Sequence, residues 1–295
     1  MTGTRPSEGR LYLLLVVMVI LWSLNYVIGK FALREFPAML IACLRTTISG
    51  LFILPLYLAR RKGADRDWKW SELRGLLLLG IVGLVMNQTL FVVGLSLTSV
   101  AHASIVVVLM PVMVLLFSVF LGLEHFTAAK ILGITIAASG VLILQLSKNQ
   151  GSGATLLGDL VTFSSGVALA AFTVKSKQVA NRYDSLTINA VGYVGGTLAL
   201  APSTLWLASR FDFKQTSVIG WASLCYMAAF AGVLSYLIYN YALQYIPASR
   251  VSAFSYLQPL GATMFAVLLL GELVSVRLLI SGILVLAGVF ITERA

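Results

Sequence analysis

Residues 256–272 read YLQPLGATMFAVLLLGE, an apolar stretch with a proline near its start and a glutamate at its end. Residues 108–124, VLMPVMVLLFSVFLGLE, show the same spacing of thirteen residues between proline and glutamate. A helix breaker and a charge therefore recur at matching places in two long apolar runs. This recurrence indicates that the two halves of the chain are related.

The composition indicates that much of the chain is surrounded by lipid and not by water. Of the 295 residues, 59% are hydrophobic and 11% are charged, whereas a soluble domain carries about 25% charged residues. The apolar residues form long runs such as LYLLLVVMVILWSLNYVIG at residues 11–29. Runs of about 18 or more apolar residues predict transmembrane helices. We therefore predict an all-α polytopic integral membrane protein.

The hydropathy runs and the breaks between them predict ten transmembrane helices. The first run continues into Trp, Asn and Tyr with no cleavage site after it, so we interpret it as a retained helix and not as a signal peptide. The predicted spans cover residues 11–33, 36–58, 74–97, 99–121, 127–146, 156–180, 186–208, 217–243, 247–271 and 275–292.

The basic residues predict the orientation of these spans. With the N-terminus inside, fourteen Lys and Arg residues fall in inside segments and six in outside segments. The positive-inside rule then places both termini in the cytoplasm. We attribute the net charge of +10 to loops that meet anionic membrane lipid, and we expect no nucleic-acid partner.

The chain matches itself at an offset of 148 residues. This offset pairs Pro111 with Pro259 and Glu124 with Glu272, and it gives eleven identities over residues 91–145 and 239–293. We predict two five-helix repeats, residues 1–150 and 151–295. Because five is odd, the second repeat must be inverted relative to the first, and inverted repeats are typical of alternating-access transporters.

Three stretches carry a resemblance to a known family. Residues 247–291, PASRVSAFSYLQPLGATMFAVLLLGELVSVRLLISGILVLAGVFI, resemble the end of an EamA-type member of the drug/metabolite transporter superfamily. LWSLNYVIGKFAL at 21–33 and ACLRTTISGLFILPL at 42–56 resemble that family's first and second helices. The first copy of the Pro…Gly-Glu pattern departs slightly, since it reads Gly122-Leu123-Glu124.

The resemblance implies ten helices in inverted repeats, with a central cavity lined mainly by helices 1, 3, 4, 6, 8 and 9. It also implies a bacterial inner (plasma) membrane location. Among the family's branches, the bacterial aromatic-amino-acid exporters are similar in length and layout, so a small-molecule substrate is the expected partner.

The paired prolines and glutamates have two possible kinds of role. Pro111 and Pro259 each remove one backbone hydrogen bond and should kink or loosen their helices. They are either flex points for opposite gates or static packing kinks. We expect Glu124 and Glu272 to lie at helix ends, where they cap exposed N–H groups of the next helix, and a role in transport is the alternative.

Polar and aromatic side chains near mid-membrane are the candidate binding residues. Those in the first span are spaced on one helix face, and two neighbouring amides in the third span would be costly unless they are satisfied. Helix packing through interhelical hydrogen bonds is the alternative role. The candidates are Trp22, Asn25 and Tyr26; Asn87, Gln88 and Phe91; Phe163 and Thr173; Ser235 and Tyr236; and Ser255, Tyr256 and Gln258.

Three further observations restrict the chemistry. Arg45 is the only charged residue well inside a predicted span, and we interpret it as structurally paired or snorkelling, although a ligand carboxylate is the alternative. His102, close to the start of its span, is expected to be interfacial. With two histidines and two cysteines in apolar runs, we expect no metal site, no disulfide framework and no cofactor.

All eleven acidic residues fall in loops or near helix ends, so transport should not require proton coupling. The sequence predicts an inner-membrane exporter of small amphipathic metabolites, in particular amino acids including aromatic ones. A lipid-linked sugar flippase or another metabolite transporter of the same superfamily is the alternative. Paired carboxylates and a nucleophile with a base are lacking, which argues against an enzyme, and the short loops argue against a scaffold.

Overall fold

The computed structural model describes residues 6–61, 69–98, 103, 110–123, 125, 127–145, 155–270 and 276–294. Within these ranges the regular structure is helical and no strand occurs. The helices are α1 (Glu8–Leu33), α2 (Ala38–Arg61), α3 (Trp70–Leu97), α4 (Met110–Phe120), α5 (Ala128–Gln145), α6 (Leu156–Val179), α7 (Ser185–Ala208), α8 (Val218–Tyr245), α9 (the consecutive segments Ala248–Ala253, Phe254–Leu257 and Gln258–Leu270) and α10 (Val276–Arg294).

Six of these helices, α1, α2, α3, α6, α7 and α8, are long and apolar enough to cross a membrane. The shortest of the six has 23 apolar-rich residues, which at 1.5 Å per residue gives about 34 Å against a hydrocarbon core of about 30 Å. The predicted span 99–121 is described over its second half, where α4 is a shorter apolar helix. The chain is therefore a multi-pass helical membrane protein.

Short polar side chains cap the N-termini of several helices. Ser7 accepts a hydrogen bond from the backbone N–H of Arg10 at the start of α1. Thr155 accepts from Gly158 at the start of α6, and Asp184 accepts from Thr187 at the start of α7. These caps satisfy N–H groups that have no partner inside the helix, and so they fix where each helix begins.

We name the two ends of the helix bundle by the helices that finish there. The outer end is the end at which α1 and α3 finish, near Leu33 and Leu97, and the inner end is the opposite one, near Glu8 and Trp70. The distribution of basic residues predicts that the inner end faces the cytoplasm.

Small residues allow the helices to pack closely. A Cβ atom added to Gly80 of α3 would overlap the backbone of Gly192 in α7, and one added to Gly94 would overlap Thr162 in α6. In the same way α5 and α10 meet where Gly133 faces the backbone of Gly288. Close approach through small residues is the usual packing of helices in membranes, and it holds α3 against both α6 and α7.

Each half of the chain has a π-helical turn in its third helix. Residues Gly80–Val85 form this turn in α3, and residues Ala229–Leu234 form it in α8. In α3 one residue separates the turn from Asn87 and Gln88. In α8 the turn is followed immediately by Ser235 and Tyr236. Because a π turn widens a helix and shifts the side chains that follow it, both turns re-aim the polar residues near mid-membrane.

Two lysines make the same contact in the two halves. Lys30 near the end of α1 donates to carbonyl oxygens at the C-terminal end of α3, and Lys177 near the end of α6 donates to those at the end of α8. A cation is favourable at the C-terminal end of a helix, where carbonyl groups lack partners. The acceptors, at 2.7–3.1 Å, are Leu95 and Thr98 for the first lysine and Leu243 and Ile246 for the second.

Candidate functional site: a polar and aromatic cavity at the centre of the bundle

A small cavity of about 60 Å³ lies where seven helices meet, and its volume is about that of two water molecules. Aromatic side chains and buried polar groups share its wall. The lining residues are Trp22, Asn25 and Tyr26 of α1; Arg45 of α2; Asn87, Gln88 and Phe91 of α3; Met110 of α4; Ser165, Gly166 and Leu169 of α6; Tyr236 of α8; and Gln258 of α9.

The structure brings eight of the thirteen candidate binding residues to this wall, namely Trp22, Asn25, Tyr26, Asn87, Gln88, Phe91, Tyr236 and Gln258. The other five do not line it. Thr173 bonds to Tyr239, Ser235 to the Phe230 carbonyl and Ser255 to the sulfur of Met110. Tyr256 packs in an apolar cluster with Leu115 and Ile134, and Phe163 is half-buried on α6.

Asn87 is held by three hydrogen bonds from two other helices. Its Nδ2 donates to the backbone oxygen and to the hydroxyl of Ser165, each at 2.9 Å, and its Oδ1 accepts from the Tyr236 hydroxyl at 2.7 Å. Because the backbone oxygen can only accept, these contacts fix the orientation of the amide. Asn87 therefore joins α3 to α6 and α8 at the cavity wall.

Gln88 is held at one end of its amide. Its Nε2 donates to the Tyr193 hydroxyl at 2.6 Å, whereas its Oε1 is buried and has no hydrogen-bond partner in the described structure. The Oδ1 atom of Asn25 is also buried and without a partner there. These two amide oxygens of the cavity wall can therefore accept hydrogen bonds from a bound ligand or water.

Aromatic rings form the remainder of the wall. The Trp22 indole N–H donates to the Ala231 carbonyl within the π turn at 3.0 Å, and its ring lies 5.4 Å from that of Tyr236 in an edge-on arrangement. Tyr26 and Phe91 pack edge to face with their ring centroids 5.2 Å apart. These distances fall in the range of favourable aromatic pairs, so the wall presents rigid apolar surface beside the amides.

Arg45 also lines the cavity, which differs from the expectation drawn from the sequence. The side chain is 3% exposed, so it does not snorkel to the surface. The structure shows no hydrogen bond or ion pair for it among the described residues, and its Nε atom is buried without a partner. A signal was present in the sequence, because Arg45 is the only charge well inside a predicted span. The resemblance implied a cavity lined mainly by helices 1, 3, 4, 6, 8 and 9, which do not include the second helix that carries Arg45.

At the outer end, α3 and α6 are joined by hydrogen bonds and by close backbone approach. The Thr98 hydroxyl donates to Asp159 Oδ1 at 2.6 Å, and the Thr155 hydroxyl donates to the Leu97 carbonyl at 2.8 Å. Gly158 lies so close to Leu97 that a Cβ atom would overlap the carbonyl of that residue. The two helices are therefore in direct backbone contact above the cavity.

At the inner end the same two helices diverge and leave a groove of about 650 Å³, which we call the α3–α6 groove. Two smaller grooves of about 460 and 380 Å³ also open at this end. Phe172 lines the α3–α6 groove, and its ring lies 6.0 Å from that of Tyr236 in the cavity wall. This pair of rings lies between the groove and the cavity.

Of the residues expected to kink or cap helices, the structure describes the two prolines and not the two glutamates. Pro259 lies two residues after the 3₁₀ turn Phe254–Leu257 of α9, so the helix is irregular shortly before the proline. Pro111 is the second described residue of α4 and is buried. Glu124, Glu272 and His102 lie outside the described residues.

Comparisons with known proteins agree with this architecture. A relative from Archaeoglobus fulgidus, named an uncharacterized transporter, is 29% identical over 96% of this chain and 98% of its own length. A relative from Streptantibioticus cattleyicolor, named a probable terminal-alkyne amino-acid exporter, is 26% identical over 95% of this chain and 92% of its own. One crystal structure has the same fold, with a TM-score of 0.79 at 21% identity and 98% coverage of both chains.

The family comparison covers nearly the whole chain. The EamA-like transporter family matches residues 9–146 and residues 156–294. The proteins of this family and the relatives above are named as transporters and not as enzymes. The chain belongs to the EamA-like transporter family, as the resemblance in its sequence implied.

Proposed function

We propose that this transporter exports small amphipathic metabolites, in particular amino acids including aromatic ones, across a bacterial inner membrane. The central cavity carries this proposal, because it combines unpaired amide oxygens with rigid aromatic walls. Such a site suits a ligand with a polar head and an apolar side chain. The name of the Streptantibioticus relative, a probable amino-acid exporter, supports the same class of substrate.

The proposed architecture is ten transmembrane helices in two inverted repeats, residues 1–150 and 151–295, with both termini in the cytoplasm. The two separate family matches support the repeats, as do the two π turns and the equivalent contacts of Lys30 and Lys177. A five-helix unit must invert on duplication, and the cavity then lies where the repeats meet, as in other inverted-repeat transporters.

The proposed mechanism is alternating access by rocking of the two repeats. The contacts of α3 with α6 at the outer end and the grooves at the inner end support assignment of this conformation to an outward-closed state. Export then requires the outer contacts to separate while the inner grooves close. Pro111 and Pro259 are the proposed flex points, and Glu124 and Glu272 the proposed caps at helix ends.

Export is proposed to run down the substrate gradient without obligatory proton coupling. No carboxylate occurs among the described residues that line the cavity, and a carboxylate within the membrane is the usual proton carrier of coupled transporters. A pH gradient across a liposome should therefore leave the steady-state distribution of substrate unchanged. Accumulation above equilibrium in response to the gradient would contradict this part of the proposal.

Counterflow of labelled phenylalanine into liposomes that hold the purified protein tests the substrate class. We expect saturable flux that unlabelled aromatic amino acids compete. Gln88→Ala should reduce the flux, because it removes an amide from the cavity wall, whereas Gln215→Ala, at an exposed position outside the bundle, should not. Absence of flux with every amino acid, from folded protein, would contradict amino-acid export.

The α3–α6 groove favours one second candidate, a flippase for a lipid-linked sugar. Its rim includes Leu78 and Val82, which are 60% and 44% exposed, so apolar surface lines a route open to the side of the bundle. Transfer of a fluorescent lipid-linked sugar between leaflets of a liposome distinguishes the two functions. Lipid transfer without amino-acid counterflow would favour the flippase.

A further inference from the structure

Arg45 is a buried cation that the described structure leaves without a counter-ion. It lies seven residues inside the outer end of α2, at about the depth at which Asn25 and Gln88 line the cavity from α1 and α3. The cation of α2 that does form an ion pair is Arg60, which pairs with Asp184. Arg60 is fifteen residues further along α2, which is about 22 Å away along the helix.

A guanidinium buried without an anion is costly in a bilayer, so it needs a physical reason. Snorkelling to the interface is not that reason, because the side chain is 3% exposed. An internal ion pair is not that reason either, because the described structure gives Arg45 no hydrogen bond and no anionic partner, and its electrostatic neighbours are the Tyr193 and Tyr236 hydroxyls. What Arg45 does face is the cavity, where a ligand could supply the missing anion.

We propose that Arg45 is the carboxylate-binding residue of the central cavity. A planar guanidinium matches a carboxylate with two parallel hydrogen bonds, and such charge-assisted pairs are among the strongest in proteins. One cation in an otherwise uncharged wall neutralises one negative charge, which selects a monocarboxylate. The inference deepens the proposed function, because it rests on the same cavity and states which end of the substrate the protein recognises.

The unpaired acceptors complete the recognition of an α-amino acid. Asn25 Oδ1 and Gln88 Oε1 are buried and without partners in the described structure, so they can accept hydrogen bonds from an ammonium group while Arg45 holds the carboxylate. The cavity of about 60 Å³ has room for the polar head. The side chain of the ligand must then displace the aromatic and Met110 side chains that close the cavity.

Binding to the purified protein tests the inference without relying on flux. Phenylalanine and 3-phenylpropionate carry the carboxylate, whereas phenethylamine lacks it. By isothermal titration calorimetry we expect the two acids to bind about 10- to 100-fold more tightly than the amine, the range expected for a hydrogen-bonded charge. Equal binding of the acid and the amine, or no binding of any carboxylate, would overturn the inference.

Two variants of Arg45 and one control locate the effect. Arg45→Met should abolish the preference for the acids, and Arg45→Lys should retain part of it, because the charge remains but the planar fork is lost. Arg34→Gln, which removes an exposed cation near the outer end of α1, should keep the full preference. An unchanged preference for the acids in Arg45→Met would overturn the proposal. If the methionine variant does not fold, the same ligands are measured on Arg45→Lys, where an undiminished preference would overturn it.

The stability of the ligand-free protein separates a binding role from a structural one. Removal of an arginine that pairs within the protein lowers the thermal unfolding midpoint, whereas removal of an uncompensated buried charge leaves the midpoint equal or higher. We expect the second result for Arg45→Met. A clear fall in the midpoint, together with retained acid binding, would assign Arg45 a structural role.

The outcomes also separate this inference from the proposed function. Flux of amines and acids alike in liposomes would leave a transporter whose cavity does not recognise carboxylates. Carboxylate binding at Arg45 without flux of any amino acid would uphold the binding site and contradict amino-acid export.

Discussion

The Tyr236 hydroxyl donates a hydrogen bond of 2.7 Å to Asn87 Oδ1, which joins α8 to α3 across the centre of the bundle. Each residue follows a π-helical turn, and each comes from a different one of the two proposed repeats. The bond therefore crosses the boundary along which an alternating-access transporter must move. Side chains in this position are suited to hold one state of the cavity.

Tyr236→Phe should lower both stability and flux. The change removes the donor and leaves Asn87 Oδ1 buried without a partner. We expect a loss between the average of about 0.6 kcal/mol and the maximum of about 1.7 kcal/mol measured for hydrogen bonds between membrane helices. Tyr226→Phe is the matched control, because it removes a hydrogen bond of 3.0 Å to the Leu21 carbonyl away from the cavity. Thermal unfolding in detergent and phenylalanine counterflow measure the two effects.

Tyr226→Phe should show a similar loss of stability with flux unchanged. Equal flux in the two variants would show that the Tyr236 contact with Asn87 contributes to folding alone.

Thr98→Val should loosen the outer end, because it removes the hydrogen bond to Asp159 while the side chain keeps nearly the same volume. A probe at Gly166 reports this opening, since the residue lines the cavity and a Cβ atom there meets nothing within 4 Å. We expect Gly166→Cys, in a chain with Cys43 and Cys225 replaced by alanine, to react slowly with an impermeant maleimide from the outer side.

The Thr98→Val change should raise that rate several-fold, because about 1 kcal/mol of a closing contact is lost. The control is Thr204→Val, which removes a hydrogen bond within α7 to the Leu200 carbonyl. An increase of the same size in the control would contradict a specific role of the outer contact.

Lys30→Met and Lys177→Met should each lower the free energy of unfolding by about 0.3–2 kcal/mol, the range for a cation at a helix C-terminus. Each variant leaves two carbonyl acceptors without their charged donor. Lys175→Met, at an exposed position two residues from Lys177, is the control and should change stability little. Chemical denaturation in detergent micelles gives the comparison.

The two losses should be similar in size and should add in the double variant to within about 0.5 kcal/mol, because the sites are distant from one another. A large loss for one lysine and none for the other would show that the two contacts are not equivalent parts of a repeat.

Gly80→Ala should destabilise the protein by about 1–3 kcal/mol, since the added Cβ atom overlaps the backbone of Gly192 and the packed helices must separate. Gly75→Ala lies on the same helix, and a Cβ atom there meets nothing within 4 Å. That control should be neutral or stabilising, because alanine favours a helix more than glycine does. Thermal unfolding midpoints that fall equally for both variants would contradict the close contact.

Part of the candidate site follows from residue chemistry and helix spacing. Trp22, Asn25 and Tyr26 share one face of α1, and Asn87 with Gln88 stand out as amides within an apolar run, so all five were predicted and all five line the cavity. The π turn that precedes Asn87 and Gln88 in α3 was not predicted, nor was the one in α8. A π turn adds one residue to a helix through packing against neighbours, and a regular 3.6-residue period contains no sign of it.

Apolar length and the placement of charge determined by themselves that the chain is a helical membrane protein, and the spacing of proline and glutamate indicated the relation between its halves. Those properties are local, because a bilayer requires each span to satisfy its own backbone groups. Only the tertiary structure decided that Arg45 faces the cavity while Thr173 and Tyr256 do not. The rotation of a helix about its axis depends on the packing of small residues such as Gly80 against Gly192, and that packing joins residues more than a hundred positions apart.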